Sequence, residues 1–305
     1  MTQPRCIRAG RTWMTTRRAT RRHFLFRPDR DGMCQRIYWY TTAVIAAKFG
    51  IELHAVQMLS THLHEVLTDI FGKLPAFVRE RNRLFANALK CHRGWPEEVF
   101  QRAQPSYVEL HGPDAIAKQI AYTLANCVEA GLVSSPEQWP GVTVQVDDIG
   151  RLVVEVERPP MYFDPENPAW PERVTIPITM PAALTAAYGE RAREVLRAVV
   201  RAAVEHARAL ARRAGRFVGP VAKLFSVPFT RRSSTFEPFG GRDPTFAAAG
   251  NRECARAALT ERRAFIALYR KALAALRAGA QHVPFPPGTW RWVHELLPVA
   301  LRAQA

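Results

Sequence analysis

Five cysteines are scattered through the chain (Cys6, Cys34, Cys91, Cys127 and Cys254), and no two of them form a Cys-x-x-Cys pair. That spacing excludes a zinc knuckle, and the odd count argues against a disulfide framework, so a reducing compartment is expected. No apolar run approaches the roughly 20 residues of a membrane span, and the basic N-terminus lacks the apolar stretch of a secretory leader. A cytoplasmic protein with no membrane partner is the expectation. There is no internal repeat. Acid is also short: 27 Asp and Glu stand against 43 Lys and Arg, for a formal charge of +16, and the excess is nearly all arginine. Arginine's planar fork suits phosphates and base edges better than a lysine point charge, so a polyanion, nucleic acid first, is the implied partner.

A hydrophobic content of 48% over 305 residues is enough for a sizeable core, in one extended domain or two. The first thirty residues hold nine Arg and one Asp. They read as a strand near Trp13, an irregular basic stretch and a short apolar run, broken at Pro28-Asp29-Arg30-Asp31-Gly32. Helical spacing runs from Met33 to Phe49 with Gly50 as its stop. Strands follow at Ile51–Met58 and His62–Thr68, a helix at Lys73–Leu89, an extended piece at Tyr107–Leu110 and a helix at Ala115–Ala130 with Gly131 after it. This order predicts an α+β fold with helices packed on an antiparallel sheet. A linker at Ser134–Gly141 then separates residues 1–141 from a second unit, 142–305. There the alternation predicts a hairpin over Val142–Glu157 with its turn near Asp148-Ile149-Gly150. Pro-rich loops, a long Arg-laden helix over Ala182–Gly215, a loop over Pro228–Gly250 and a helix over Glu253–Ala278 complete a mainly helical extension.

Two features carry chemistry. In His62-Leu63-His64, residues two apart on a strand share a face, so both imidazoles can reach one metal while Leu63 points into the core. Alone, the pair reads more readily as an ordinary surface or half-buried histidine pair. Tyr122 and Asn126 are one helical turn apart, which places a phenol beside an amide oxygen, a hard ligand for a cation. Glu65, on the strand face away from both histidines, is a poor candidate for a helper base.

The two motifs together, His62-Leu63-His64 and then Tyr122-Thr123-Leu124-Ala125-Asn126-Cys127-Val128-Glu129-Ala130-Gly131-Leu132-Val133, resemble the single-tyrosine HUH transposases of bacterial insertion sequences. They are most like the REP-associated branch, whose helix reads Tyr-Ile-x-x-Asn-Pro-Val-Arg-Ala-Gly-Leu-Val. Leu53-His54-Ala55-Val56 and the basic first strand match as well, so the similarity spans roughly residues 8–141. Leu59-Ser60-Thr61 stands where the family has Met-Pro-Asn, Glu65 where it has an apolar residue, and Cys127 and Glu129 where it has Pro and Arg. The resemblance implies a ferredoxin/RRM-like core, a nucleophile at Tyr122, and a divalent metal, Mg²⁺ or Mn²⁺, on His62, His64 and Asn126. It also implies cleavage and rejoining of single-stranded, hairpin-bearing DNA through a 5′-phosphotyrosine. Relatives act as dimers or alone, and the sequence leaves a homodimer and a monomer both open.

Arg17, Arg18, Arg21 and Arg22, beside Trp13, His23 and Phe24, combine phosphate contacts with aromatics that could stack on unpaired bases. Arg231 and Arg232, with Arg216 and Lys223, lie where acids are sparse and are further phosphate candidates. The arginines of the 182–215 helix alternate with Glu190, Glu194 and Glu205 and read as a solvated face. The rival readings are an HUH relaxase or replication initiator, which typically carries a third histidine ligand, and a transposase-derived protein that binds DNA without cutting it.

Overall fold

A computed structural model of the chain describes residues 4–216, 219–235, 244–291, 293 and 294. Strand β1 (Arg11–Arg18) runs into a one-turn 3-10 helix at Thr20–Arg22 and then α1 (Met33–Phe49). Next come the hairpin β2 (Ile51–Met58) and β3 (His62–Asp69), α2 (Leu74–Arg93), β4 (Ser106–Leu110) and α3 (Pro113–Glu129). These four strands lie in the order β2-β3-β1-β4, all antiparallel. Two β-α-β units interleaved in this way make a ferredoxin-like sheet. The expected α+β class and the expected order of elements both hold.

The sheet is covered on both faces because its strands are apolar on both. On one side, α1 and α2 pack together over it, with Tyr38, Phe77, Leu84 and Phe85 buried. On the other lies α3, which is itself covered by a later helix. α3 ends in a Schellman motif: Leu132 N–H donates to Cys127 O, and Gly131 N–H to Val128 O. Gly131 holds φ +69°, a conformation that glycine adopts without a Cβ penalty, as the sequence predicts. In β2, the register slips between Leu53 and Ala55, and His54 occupies the bulge. It is fully buried between Thr68 and Thr179, and burial pushes its pKa down to about 4, so it is a neutral structural imidazole.

The second half departs from its predicted form in three places. Val142–Glu157 is not a hairpin. Val142 and Val144 anchor an irregular segment along β2, with Met58 N–H donating to Val142 O, and a turn at Asp148 follows. β5 (Val153–Glu157) pairs instead with β6 (Arg173–Pro177), across the Pro-rich loop. Period-two burial reports which residues face inward and says nothing of the partner strand. The long helix is also broken. α4 (Ala182–Tyr188) stops at Gly189, whose φ is +54°, and a 3-10 turn leads into α5 (Ala192–Arg213). α5 lies along α3 and buries Leu196, Val200, Val204 and Ala207 in the main core.

After α6 (Ala222–Ser226), the stretch expected as a loop contains the two-residue β7 (Phe246–Ala247), which joins β4 in parallel; its residues 236–243 lie outside the described residues. α7 (Arg252–Arg277) begins at an Asn251 cap whose side chain accepts from Cys254 N–H. Among the described residues, no helix is long and apolar enough to cross a membrane.

Candidate active site

β3 opens after a tight turn in which Leu59 N–H donates to His62 O. Side-chain alternation then sends His62 and His64 to the α3 face and Leu63 and Glu65 to the other. Leu63 is buried, as expected. The two imidazoles stand edge to face with centroids 4.8 Å apart.

Each ring is oriented through Nδ1 by a threonine. Thr61 Oγ1 lies 2.9 Å from His62 Nδ1, and Thr16 Oγ1, opposite on β1, lies 2.9 Å from His64 Nδ1. A hydroxyl donates or accepts, so it can support the tautomer that leaves Nε2 as a lone-pair donor. Neither threonine stands out in the sequence; only the β1–β3 register reveals Thr16. Gln57, opposite His64 on β2, was missed for the same reason. It is fully buried with its Nε2 unpaired.

From α3, Asn126 brings its Oδ1 to 3.0 Å from His62 Nε2, and the Tyr122 ring sits edge-on to His64 at 5.5 Å. One turn of helix therefore places both groups over the histidine pair. Asn126 is 8% exposed and Tyr122 39%, so the phenol is at the rim and the amide beneath it. Burial, then the charges of His62 and Arg18, hold the His64 pKa well below its ordinary value, and the ring is neutral. Burial and Glu129 raise the Tyr122 pKa, and Arg18 and Asn126 only partly offset them, so Tyr122 is a phenol at neutral pH.

The donor set fits a divalent cation. Adjacent ligands of an octahedral ion with bonds of about 2.1 Å lie about 3 Å apart, which is the separation of His62 Nε2 and Asn126 Oδ1. Among the described residues, no group of three His, Cys, Asp or Glu side chains is placed to hold a metal. Beside the two imidazoles stands an amide oxygen, Asn126 Oδ1, which is outside those residue types.

The basic residues separate by strand face. Arg18 stands opposite His62 on β1 and acts electrostatically on both His64 and Tyr122. Arg17 points the other way, over the Phe100 ring, and donates to Ala103 O. Arg21 is exposed and Arg22 half-buried, both with positive φ. Two segments some 210 residues apart meet here: Arg22 donates to Ser233 Oγ at 2.8 Å, Phe24 N–H to Arg231 O, and Arg232 Nε to His23 Nε2 at 3.1 Å. Arg231 and Arg232 are exposed beside Arg21 and Arg22 as a result. Arg216 donates to Glu129 O, at the end of α3, and Lys223 is exposed. Trp13 and His23, expected as stacking platforms, are buried at 3% and 6% exposure and belong to the core.

No protein-family model matches the sequence, and no curated protein matches it. Among solved structures, the chain is similar to a REP-associated tyrosine transposase bound to a REP hairpin, at 19% identity over 48% of this chain and 84% of that one, with a TM-score of 0.42. It is also similar to a protein assigned as a transposase from Deinococcus radiodurans R1, at 18% identity over 35% and 85% of the two chains, with a TM-score of 0.27.

Proposed function

We propose that this protein is a metal-dependent DNA strand transferase of the single-tyrosine transposase type, with Tyr122 as nucleophile and His62, His64 and Asn126 as the metal ligands. The observation that carries this reading is the convergence of four groups from β3 and α3: His62 Nε2 at 3.0 Å from Asn126 Oδ1, with His64 and Tyr122 ring to ring beside them. Their identities and spacing are those through which the sequence resembles that family.

A bound Mg²⁺ or Mn²⁺ would polarise a non-bridging oxygen of the scissile phosphate and offset charge developing there. The chain's residues do the rest. Arg18, opposite His62 on β1, favours a phosphate at the rim and stabilises phenolate over phenol. The Tyr122 oxygen attacks phosphorus, and the P–O3′ bond breaks as the O–P bond to tyrosine forms. The departing 3′ oxygen takes up a proton, and the phenol proton leaves to solvent or a bound base. The products are a 5′-phosphotyrosine enzyme and a free 3′-OH. Attack by another 3′-OH reverses the step and joins new ends without ATP. Arg18, Arg21, Arg22, Arg231 and Arg232 supply phosphate contacts for a hairpin-bearing strand, with Arg17 as a contribution from the opposite face.

The test is a denaturation-resistant protein–DNA adduct on single-stranded, hairpin-bearing DNA from the flanks of the gene, with Mg²⁺ or Mn²⁺. The adduct should require both the metal and Tyr122, and Tyr122→Phe should bind DNA nearly as well as wild type while forming none. An adduct that persists in Tyr122→Phe sinks the assignment. Tight binding without an adduct in wild type supports the non-cutting DNA-binding protein instead.

A further inference from the structure

α3 ends on charge of the wrong sign. The last turn of a helix exposes carbonyls and carries partial negative charge, so it favours Lys, Arg or His. The last turn of α3 holds no basic residue, and its final residue is Glu129. A carboxylate there is unfavourable unless a cation answers it. Among the described residues, the Glu129 carboxylate makes no hydrogen bond or ion pair. Arg216 does come to this helix end, but its Nη1 donates to the backbone Glu129 O at 2.6 Å.

Glu129 also has a definite place relative to the candidate site. It shares one uninterrupted helix with Tyr122 and Asn126. At about 100° per residue, it falls within about 20° of Tyr122 and about 60° of Asn126. Side chains on a helix lean toward its N-terminus, so this half-buried carboxylate leans back toward Asn126. Its charge is felt at the phenol, where after burial it is the next influence raising the Tyr122 pKa. One corner thus collects the C-terminal carbonyls of α3, a carboxylate, the Asn126 amide oxygen and two imidazoles. All of these favour a cation.

His62, His64 and Glu129 do not close into a three-ligand set, so the carboxylate acts from outside the coordination sphere. We propose that Glu129 is a further positioning residue of this site, an outer carboxylate that accepts hydrogen bonds from water on a divalent cation held by His62, His64 and Asn126. This rests on the metal reading above. Its consequence is an order of events. The carboxylate draws the cation in before DNA arrives, and until the cation is there it repels the scissile phosphate. The arginine that the resembled family has at this position would do the reverse.

The test uses the full chain and two readouts of opposite sign. Mn²⁺ is titrated into metal-free protein without DNA, and the free ion is followed by EPR; nitrogen modulation in the signal of the bound ion reports imidazole ligation. Outer partners are worth ten- to a hundredfold in metal affinity, so Glu129→Gln should bind Mn²⁺ about tenfold more weakly. Glu129→Asp, which keeps the charge, should recover most of that. In EDTA, Glu129→Gln should bind hairpin DNA about two- to fivefold more tightly than wild type, because a like charge beside the phosphate is gone. Glu166→Gln removes an equally exposed charge from the Pro-rich loop and should change neither. Equal Mn²⁺ affinity in Glu129→Gln, the same loss in Glu166→Gln, or weaker binding of both metal and DNA in Glu129→Gln overturns the proposal. Wild type that shows no nitrogen ligation of Mn²⁺ removes the metal reading and this one with it. Ligation intact in wild type, with Glu129→Gln unchanged, overturns this one alone.

Discussion

The two faces of β3 are built from adjacent residues and do opposite things with polarity. Toward α1 and α2, Glu65 is 1% exposed and saturated: Arg81 Nη2 donates to it at 2.7 Å, Tyr38 Oη at 2.7 Å and Thr15 Oγ1 at 2.8 Å. Toward α3, His62, His64, Tyr122 and Asn126 are gathered just as closely, but their one close polar contact is His62 Nε2 to Asn126 Oδ1 at 3.0 Å, and Tyr122 opens on a solvent-accessible rim. A saturated cluster can only hold a structure together. Glu65 therefore reads as structural although it adjoins His64 in sequence. Burial alone would raise its pKa, but Arg81, Tyr38 and Thr15 reverse that and hold it below the ordinary carboxylate value.

The sharpest way to break the contrast is to unpair the saturated side. Glu65→Ala leaves the buried Arg81 guanidinium without an anion, its remaining side-chain hydrogen bond going to Asn82 Oδ1 at 2.9 Å, which should cost about 3–5 kcal/mol in chemical denaturation. Removing both charges, as Glu65→Leu/Arg81→Met, should recover most of that loss, because a buried pair is often no better than an apolar replacement. If the double variant is as unstable as the single one, the pair is not the source of the effect. Tyr122→Phe, on the other face, should leave the denaturation midpoint close to wild type.

A second anion on the α1–α2 side gives a smaller, pH-dependent effect. Asp29 is held by His92 and Arg93 and accepts from Cys34 N–H at 3.2 Å. Burial would raise its pKa, but these partners carry it down to about 2 from 3.8. A depressed folded-state pKa means stability that is present above about pH 4 and lost as pH falls toward 2, on the order of 2 kcal/mol for this shift. Denaturation curves between pH 5 and pH 2.5 should show that loss in wild type and a shallower one in Asp29→Asn; parallel slopes would remove Asp29 as the cause.

How far the sequence reaches also differs between the faces. That His62 and His64 share a face was legible because a strand repeats every two residues, and that Tyr122 and Asn126 do because a helix returns every 3.6; their selection as a site came from the resemblance. That Glu65 faces away follows from the same alternation. Its partner Arg81 does not, nor do Thr16 and Gln57 beside His64, because cross-strand register and helix docking are tertiary facts. The same gap turned 142–157 into an expected hairpin and hid β7, a strand of two residues. It also sent Trp13 and His23 to the surface on paper when the fold needs them inside.

The gentlest test of the contrast lies in the ring orienters. Thr16 Oγ1 lies 2.9 Å from His64 Nδ1, and Thr16→Val keeps shape and removes only the hydroxyl. His64 is 5% exposed, so the loss strands its buried Nδ1. Here the ring is left with Nε2 intact but with nothing to set its tautomer. Partners of this kind are typically worth ten- to a hundredfold in metal affinity. Titration with Mn²⁺ should show a loss near the lower end of that range, about tenfold, beside a stability loss of only about 1 kcal/mol for the unpaired nitrogen. A variant that loses stability while holding Mn²⁺ as tightly as wild type would mean that Thr16 belongs with Glu65, and that the α3 face is packed for structure too.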